Sequence, residues 1–576
     1  MSCLSAICRM NGYDEESYTY FPVLIVGAGP SGIAMACRLK QVLGCDQFRI
    51  FDRQSGIGGT WWINRYPGVA CDVPAVFYSF SFSPNNSWTS FHPPGHEIVK
   101  YLHSVCEKYK IVDKIQLNTE VSEARWLKDE GLWEATITTL AAGTGDLSES
   151  DRQRKIEIDG VGAVYIGTEI VRARILVSAV GGLVEPRTWP ENVPGREIFE
   201  GDIFHSARWN YNVDLTGKDI VVVGTGCSAA QFVPLLTKAP HNAKSVTQVM
   251  RSPPWVAKRP LPPGGEEIYS KWSPVLFRYV PGLAWAMRQL IFWGAEYDWR
   301  IFGTTEYNER ERKKVEKTLI EHVKKSVPEK YHEILIPDYA YGCKRRIYDS
   351  AWFPCLNENN INLTTLSLTS VQAKGVTLGP SRTYPSIKTG SKAPTHKLHV
   401  HADTIILANG FDTTQWLHPL KLTGRHGQDL HEEWEKRGGP QAYLGLAMDG
   451  FPNFFMIVGP NTITGHSSVI LASENMVNYS LIFIRLILRG DVAEAEVKHE
   501  AEVEFATDLQ SQLKNRIWNQ GGCRNWYQTE SGWNSTVYPS APPSYASLNL
   551  WLTFTTVGPR FGLHFNACSR GGSIGS

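Results

Sequence analysis

The 576-residue sequence has eleven cysteines but no Cys-x-x-Cys pair, and its histidines are not clustered. Structural zinc sites and disulfide frameworks are recognised by such spacings, so we predict no metal site and no set of disulfides. Scattered cysteines are typical of a reducing compartment. The sequence therefore favours a cytoplasmic location, and it argues against disulfide reduction as an activity, because that chemistry uses a closely spaced cysteine pair.

An excess of charge of one sign is also missing, because 58 Lys and Arg residues balance 57 Asp and Glu residues. A net charge of +1 provides no global field to attract nucleic acid, so we predict no such partner. The first twenty residues lack the cationic start of a signal peptide. The sequence makes no prediction of oligomeric state.

Long uninterrupted apolar runs are absent as well. The most apolar region, 275–302, is broken by charged residues and Pro281, so it does not supply the roughly 20 apolar residues of a membrane span. We predict no transmembrane segment and interpret this region as an amphipathic helix packed on protein. Peripheral contact with a membrane surface is the alternative, because aromatic and cationic residues alternate there.

Glycine and aromatic residues, in contrast, are abundant, and the first glycine-rich motif follows the buried strand pattern of 21–26. In Gly27-x-Gly29-x-x-Gly32 the first glycine allows a tight turn, the second a close approach of the backbone to a pyrophosphate, and the third close packing of helix on strand. Asp52 ends the next predicted strand, where a carboxylate can bind a ribose 2′-hydroxyl. This unit predicts a site for FAD or NAD.

The same pattern recurs about 200 residues later. The predicted strand 219–223 leads into Gly224 and Gly226, with Ala229 in place of the third glycine, and a helix follows. Here the second strand ends in Arg251 and Ser252, without an acid. A guanidinium can bind a ribose 2′-phosphate, so this unit predicts NADPH rather than NADH; a purely structural Arg251 is the alternative.

Two such units predict an α/β fold with two Rossmann-like dinucleotide-binding domains, the second inserted in the first. We expect the FAD-binding domain to span 1–200 and 396–576, including the C-terminal tail, and the NADP-binding domain to span 201–395, with a helical insertion at about 265–340. Stretches 134–139 and 155–171 are predicted as antiparallel strands around a mobile loop at 142–154. Strands at 403–407 and 454–458 are expected to return to the first domain.

Two further stretches identify a family by resemblance. The segment from Phe199 to Trp209 resembles the F-x-G-x-x-x-H-x-x-x-W fingerprint of Baeyer–Villiger monooxygenases, and 58–72 is similar to their G-x-W…[FY]-P-G-x-x-x-D signature. The resemblance implies an enzyme that uses FAD, NADPH and O2 to insert one oxygen atom beside a ketone carbonyl, giving an ester or lactone. The overall pattern looks most like members from fungal secondary metabolism, which implies a bulky polyketide or terpenoid ketone.

The resemblance also implies roles for individual residues. The FAD shell would comprise Asp52, Thr60, Trp61, Trp62, Ile63, Asp72, Tyr78 and Val121. The residues expected to meet NADP are Ala70, Cys71, Asp72, Gly224, Thr225, Gly226, Cys227, Ser228, Ala229, Ala230, Arg251 and Ser252, with Lys344 supporting the 2′-phosphate. Arg345 would be the catalytic cation and Asp72 the carboxylate that orients it. His205 and Trp209 are expected to organise a hinge between the domains.

Two other functions remain open from the residues alone. A related flavin monooxygenase would oxygenate nitrogen or sulfur nucleophiles and would have less use for Arg345. A catalytically inactive protein that binds both cofactors and serves in assembly is the third reading. The tail after about residue 540 matches no pattern of the family.

Overall fold

A computed structural model of the chain describes residues 19–349, 351–380, 396–413, 415–539 and 565–568. Its strands are β1 (Thr19–Val26), β2 (Phe48–Phe51), β3 (Ile115–Gln116), β4 (Thr119–Leu127), β5 (Leu132–Leu140), β6 (Tyr165–Ser178), β7 (Asp202–His205), β8 (Asp219–Val223), β9 (Ser245–Val249), β10 (Val256–Lys258), β11 (Ile347–Asp349), β12 (Ile361–Thr364), β13 (Ser367–Gln372), β14 (Gly375–Gly379), β15 (Leu398–His401), β16 (Thr404–Leu407), β17 (Lys421–Thr423), β18 (Phe454–Met456), β19 (Glu494–Val497) and β20 (Phe565–Cys568).

The α-helices are α1 (Pro30–Leu43), α2 (Thr60–Ile63), α3 (Gly95–Lys108), α4 (Glu149–Asp159), α5 (Cys227–Leu236), α6 (Glu266–Tyr279), α7 (Leu283–Tyr297), α8 (Glu306–Ser326), α9 (His332–Leu335), α10 (Trp352–Cys355), α11 (Leu430–Lys436), α12 (Val469–Arg489), α13 (His499–Lys514) and α14 (Ile517–Gln520).

The first sheet has the strand order β17-β4-β5-β6-β1-β2-β3, with β18 also paired to β6. Its central strand β1 runs parallel to both β2 and β6, and Val23, Leu24 and Ile25 are completely buried. A parallel strand covered on both faces needs such a continuous apolar run. Helix α1 follows with Pro30 in its first turn and ends at Gly44, which has a φ of 61°, so both helix termini carry their preferred residues.

The second sheet is fully parallel and has the order β12-β9-β8-β16-β7. The predicted fold class is thereby confirmed: an α/β protein with two Rossmann-like sheets, the second formed largely within a break in the first.

The expectation for strand 403–407 is wrong. We expected 403–407 to return to the first sheet, but β16 pairs with β8 and β7 of the second sheet, where all four of its residues are buried between them. Strand β18 does return to the first sheet, beside β6.

The predictions for 142–154 and for the start of 155–171 are also corrected: 149–159 forms α4, so 149–154 is helix rather than loop, 155–159 is helix rather than strand, and strand β6 begins only at Tyr165. The Ser148 hydroxyl accepts a hydrogen bond from the Asp151 N–H and caps this helix. Buried Arg152 donates to Glu120 at 2.7 Å. Polar composition predicted a loop here, but the cap and a buried ion pair hold a helix.

Among the described helices, α12 alone combines the length and apolar composition that would allow it to cross a membrane, and more than half of it is buried. It packs on α1, where the Ser31 and Ser473 hydroxyls lie 2.8 Å apart and Arg38 donates to Asn478 at 3.1 Å. These contacts make α12 a core helix of the first unit.

Candidate active site

The first glycine-rich turn joins β1 to α1 in a geometry that leaves one backbone position open. Gly27 has a φ of 108°, and a Cβ there would lie 2.6 Å from the Ala179 carbonyl oxygen. A Cβ on Gly32 would lie 1.9 Å from the Gly27 carbonyl oxygen, so helix and strand could not approach. An added Cβ on Gly29 would meet no atom closer than 3.6 Å, and that nearest atom is the Cα of Gly59. The fold thus leaves room at Gly29, which fits a backbone approached by a pyrophosphate.

Asp52 follows β2 and holds this turn. Its Oδ2 accepts a hydrogen bond from the Ala28 N–H at 2.6 Å, and its Oδ1 accepts one from the Gln54 N–H at 2.8 Å. Burial raises the pKa of Asp52 above its ordinary value, against the effect of these hydrogen bonds. Each carboxylate oxygen can accept a further hydrogen bond, so the residue also fits a ribose hydroxyl.

The two tryptophans of α2 are fixed by their indole N–H groups. Trp61 donates to the Tyr78 hydroxyl at 3.1 Å, and the two rings pack edge to face with centroids 5.6 Å apart. Trp62 donates to the Asp146 carboxylate at 3.2 Å. Asp146 lies in the stretch that we expected to be a mobile loop, so that stretch instead supports the residues predicted to surround the flavin.

The other members of the predicted FAD shell lie around α2 and in the first sheet. Thr60 donates from its hydroxyl to the Leu183 carbonyl oxygen at 3.2 Å, and Ile63 is buried. Val121 is buried on β4 in a core cluster that includes Phe51, the residue before Asp52. Their contacts with FAD stay a prediction.

The second glycine-rich turn joins β8 to α5 and repeats the division of roles. Gly224 has a φ of 123°, and a Cβ there would lie 2.3 Å from the Ala408 carbonyl oxygen. Around Gly226, which is exposed, no described atom lies within 4 Å of an added Cβ. This open position is where a phosphate would approach. Thr225 lies between the glycines, and the first turn of α5 holds Cys227, Ser228, Ala229 and Ala230.

A group of cations follows β9. Lys344 donates from Nζ to the Ser252 hydroxyl at 2.8 Å. Burial, with the nearby charge of Arg251, lowers the pKa of Lys344 to about 8. Burial also lowers the pKa of Arg251, and the neighbouring charges that act in the same direction are other arginines. The charged form of each of these side chains is destabilised by the neighbouring positive charges, so the group fits a doubly charged anion, such as a ribose 2′-phosphate.

Arg345, the next residue, forms a bidentate pair with Asp72. Its Nη2 donates to the two carboxylate oxygens at 2.8 and 2.7 Å, and its Nε donates to Oδ2 at 3.1 Å. Asp72 raises the pKa of Arg345 above its ordinary value. Burial alone would raise the pKa of Asp72, but Arg345 outweighs it and holds that pKa below normal. The pair is therefore fully ionised at every working pH.

A cavity lies at the guanidinium of Arg345, and its walls contain residues that sequence reasoning did not select. Phe302, Tyr341, Trp518 and Tyr527 line it together with Arg345. The rings of Phe302 and Trp518 are stacked, with centroids 4.9 Å apart. Phe302, Trp518 and Tyr527 come from distant parts of the chain and belong to no motif, so no sequence signal marks them, whereas Tyr341 lies only four positions before Arg345.

In the described part of the chain a single disulfide joins Cys343 to Cys523, although the sequence predicted no set of disulfides and a reducing compartment. It joins positions 180 residues apart, with a Cα–Cα distance of 6.2 Å. The prediction relied on close spacing in sequence, whereas the tertiary fold brings the segment before Arg345 against the segment that carries Tyr527. Asn525 strengthens the junction by donating to the Cys343 carbonyl oxygen at 3.1 Å.

Contacts also connect the two dinucleotide units. The Tyr66 hydroxyl donates to Gln231 Oε1 at 2.9 Å, and Gln231 Nε2 donates to the Ala70 carbonyl oxygen at 3.0 Å. The Cys71 N–H donates to the Pro93 carbonyl oxygen at 2.9 Å, which fixes the residue before Asp72. Ala70 therefore links the loop of Asp72 to α5, and Cys71 links it to the segment before α3.

His205 and Trp209 flank the entry into the second sheet. His205 Nδ1 accepts a hydrogen bond from the Ala207 N–H at 3.0 Å, and burial lowers the pKa of His205 to about 4. Trp209 packs against Phe204 and Phe232. The imidazole is therefore neutral near pH 7, and Trp209 connects β7 with α5; their role in a hinge stays a prediction.

Two family models match the chain. A model of NAD(P)-binding Rossmann-like domains matches residues 25–92, and a model of flavin-binding monooxygenase-like proteins matches residues 167–266. A Baeyer–Villiger monooxygenase of Pseudomonas aeruginosa is 33% identical over 523 residues, which are 90% of this chain and 87% of that protein. The chain belongs to the Baeyer–Villiger monooxygenases. The predictions of FAD and NADPH as cofactors and of an oxygenating enzyme are thereby confirmed.

Other Baeyer–Villiger monooxygenases and related enzymes extend this relationship. The FAD-binding monooxygenase ktnD of Aspergillus niger is 31% identical over 92% of this chain and 80% of that protein. A solved steroid monooxygenase bound to NADP has a TM-score of 0.73 and 24% identity, covering 96% of this chain and 100% of that one. A polycyclic ketone monooxygenase from Thermothelomyces thermophila has a TM-score of 0.76 and 21% identity, covering 99% and 92%. At these identities the solved structures show a common fold.

Proposed function

We propose that this Baeyer–Villiger monooxygenase acts on a bulky ketone and that Arg345 is its catalytic cation. The observation that carries the proposal is the half-buried, bidentate Arg345–Asp72 pair at the wall of a cavity. A guanidinium that stays charged at every working pH can stabilise negative charge on the transferred oxygen and on the carbonyl oxygen of the adduct. Bound FAD, reduced by NADPH, supplies the activation of O2.

Asp72 is proposed as a positioning residue. Its carboxylate accepts hydrogen bonds from Nη2 and Nε of Arg345, which leaves Nη1 for a reacting oxygen. A planar guanidinium held at one edge cannot rotate away from the cavity, so its electrostatic contribution is in place before charge develops. Asp72 therefore orients the cation without removing its charge.

The cofactor-binding roles predicted above are part of the same proposal. Lys344, Ser252 and Arg251 would hold the 2′-phosphate of NADPH, supported by their proximity and by the lowered pKa of Lys344. The open positions at Gly29 and Gly226 would receive the pyrophosphates of FAD and NADPH. We also keep the proposed division into an FAD-binding domain, 1–200 and 396–576, and an NADP-binding domain, 201–395, with β16 added to the second sheet.

The proposed substrate is a polyketide or terpenoid ketone of fungal secondary metabolism. Phe302, Trp518 and Tyr527 line the cavity beside the cations Lys344, Arg345 and Arg346, which fits a ketone whose carbonyl oxygen meets a cation while its apolar part meets the aromatic rings. The similarity to ktnD of Aspergillus niger and tazF of Aspergillus terreus supports a fungal setting. We propose the cytoplasm as the compartment, because the enzyme consumes NADPH; there the Cys343–Cys523 bond must resist cellular thiols, and Cys343 is fully buried.

Oxygenation of nitrogen or sulfur nucleophiles is the second candidate, and the Arg345–Asp72 pair disfavours it as the main activity. Such substrates carry no carbonyl oxygen on which negative charge must be stabilised. Purified holoenzyme should be supplied with NADPH, O2 and either polycyclic ketones or thioethers. We expect ketones to give esters or lactones with one added oxygen atom; oxygenation of thioethers alone would overturn the proposal.

A further inference from the structure

The segment 66–70 belongs to the first dinucleotide unit but packs on α5 of the second. Tyr66 is buried in one apolar cluster with Phe232 of α5, and the two rings meet edge to face with centroids 5.9 Å apart. Gly68 has a φ of 78°, and a Cβ there would lie 2.8 Å from Leu235 Cδ1. Groups packed this closely move together, so the position of the segment follows the position of α5.

Gln231, in the middle of α5, uses both ends of its amide on this segment. Its Oε1 accepts a hydrogen bond from the Tyr66 hydroxyl at 2.9 Å, and its Nε2 donates to the Ala70 carbonyl oxygen at 3.0 Å. A leucine of similar size could form neither bond, and a carboxylate could accept from Tyr66 but could not donate to Ala70. The contact therefore uses the chemistry of the amide and not only its volume.

A short stretch of backbone carries this contact from Ala70 to Asp72. Ala70 forms a β-bridge with the segment 93–95, and the Cys71 N–H donates to a carbonyl oxygen of the same segment at 2.9 Å. The Asp72 carboxylate then accepts a hydrogen bond from the N–H of its own residue. The direction of the carboxylate thus follows a backbone that is held on one side by Gln231 and on the other by 93–95.

We propose that Gln231 is a positioning residue for the oxygenation reaction, because it fixes the backbone before Asp72 against α5, and Asp72 in turn orients Arg345. The pair tolerates little displacement, since three N–O contacts of 2.7 to 3.1 Å depend on it. The first turn of α5 is expected to meet NADP, so Gln231 also keeps the catalytic cation in a fixed place relative to the NADP site. This inference rests on the proposed function of Arg345.

Another hydrogen bond between the same two units offers a matched control. The Tyr211 hydroxyl donates to the Arg65 carbonyl oxygen, seven positions before Asp72. The Arg65 side chain pairs with Asp146 at 3.1 Å. Removing the Tyr211 hydroxyl therefore deletes a contact between the units but leaves Gln231, and the backbone that it holds, untouched.

The first test supplies holoenzyme with NADPH, O2 and a ketone and measures the ester formed for each NADPH consumed. Gln231→Leu should lower this yield about tenfold, because a small displacement of a catalytic group has a large effect on rate. The remaining electrons should leave as hydrogen peroxide. The rate of flavin reduction and KM for NADPH should change less than about twofold, since the effect falls on the oxygenation step. Tyr211→Phe should keep the wild-type yield.

Gln231→Glu tests the hydrogen bond to Ala70 directly, because protonation switches this donor on and off. A protonated carboxyl group can donate to Ala70 and accept from Tyr66, as the amide does, whereas the ionised group cannot donate. The ester yield of this variant should therefore fall, relative to the wild type, as pH rises through the pKa of the carboxyl group. A wild-type yield at high pH, where the group is ionised, would overturn the proposal.

The double variant Gln231→Leu with Asp72→Ala separates positioning from general packing. If Gln231 acts through Asp72, its replacement should cost little more once the carboxylate is gone. Losses that simply add on a logarithmic scale would show that Gln231 acts by another route, and they would overturn the proposal.

The flavin reduction potential provides a measurement that needs no ketone. A cation near the flavin stabilises its reduced, anionic form, so a displaced Arg345 should lower the potential in Gln231→Leu, in the same direction as in Arg345→Ala. Tyr211→Phe should leave the potential at the wild-type value. An unchanged potential in Gln231→Leu would overturn this inference. A wild type that forms no ester would contradict the proposed function, and the potential would still decide the role of Gln231.

Discussion

Arg345 and Asp72 stand 273 positions apart in the chain and form a bidentate ion pair, with N–O distances of 2.7 and 2.8 Å from a single guanidinium nitrogen. The side chains are only partly exposed, at 30% for Arg345 and 26% for Asp72. Arg345 keeps Asp72 ionised, although burial alone would raise the pKa of this carboxyl group. Asp72 in turn raises the pKa of Arg345. This arrangement leads to the first prediction.

Replacing Arg345 by alanine should separate the two halves of the reaction. NADPH should still reduce the flavin, because the proposed phosphate contacts of Lys344 and Ser252 remain. Ester formation should fall by about 100- to 1,000-fold, the usual effect of removing one preorganised electrostatic contact. Stopped-flow absorbance measures the reduction, and chromatography of the ketone products measures the oxygenation.

Asp72→Asn is the comparison for that experiment. It should lower ester formation less than Arg345→Ala, because the cation remains and only its orientation is weakened. Full oxygenation by Arg345→Ala would show that another group stabilises the developing charge.

The pH dependence of NADPH use should report the ionisation of Lys344. Its pKa of about 8 in the free enzyme means that the ammonium is charged below pH 8 and neutral above it. We therefore expect kcat/KM for NADPH to fall as pH rises through about 8, while kcat/KM for NADH changes little. Initial rates measured over that range with both cofactors test this expectation.

The control for this prediction is Lys344→Arg, whose guanidinium stays charged. The decline above pH 8 should disappear in this variant, even if its absolute affinity changes. Lys344→Ala should weaken NADPH selectively, by about tenfold or more for a lost charge-assisted contact. An unchanged decline in Lys344→Arg would mean that a different group titrates.

Gly226→Ala should weaken NADPH binding without weakening the fold. The backbone φ of Gly226 is −77°, and its added Cβ would meet no described atom within 4 Å. The methyl group would occupy the space that we propose for a phosphate. We expect an unchanged thermal midpoint, normal FAD content and at least about tenfold lower NADPH affinity, or ~1.4 kcal/mol, measured by titration of the oxidised enzyme with NADP+.

Gly32→Ala provides the opposite case. Its Cβ would lie 1.9 Å from the Gly27 carbonyl oxygen, so α1 would be forced away from β1. This variant should have a lower thermal midpoint and reduced FAD content. A Gly226→Ala enzyme that destabilises as much as Gly32→Ala would argue that Gly226 serves the fold rather than a ligand.

Reduction of the Cys343–Cys523 bond should lower stability and disturb the cavity wall. The bond closes a loop of 180 positions, and disulfides typically contribute about 2–4 kcal/mol by restricting the unfolded chain. We expect a lower thermal midpoint in reducing buffer, and in Cys523→Ser without reductant. Adding reductant to Cys523→Ser should cause no further decrease, and a further decrease would point to an effect elsewhere.

The sequence by itself determined the two nucleotide units, and it predicts which cofactor each of them binds. Glycines at Gly27, Gly32 and Gly224 are dictated by local backbone geometry, because a Cβ at each would meet a carbonyl oxygen within 2.6 Å. Such requirements act over a few residues, so they leave a pattern that can be read from sequence. Arg251, two positions after β9, distinguished the second unit from the first in the same local way.

Only the tertiary structure decided which distant segments meet. Strand β16 lies between β8 and β7 in the second sheet. Cys343 and Cys523 form a disulfide across 180 residues, although neither belongs to a closely spaced cysteine pair. Phe302, Trp518 and Tyr527 surround Arg345 without sharing a motif. Contacts of this kind depend on how whole helices and strands pack together. The packing energy is a sum over many weak interactions, so no fixed spacing of residues in the sequence marks these contacts.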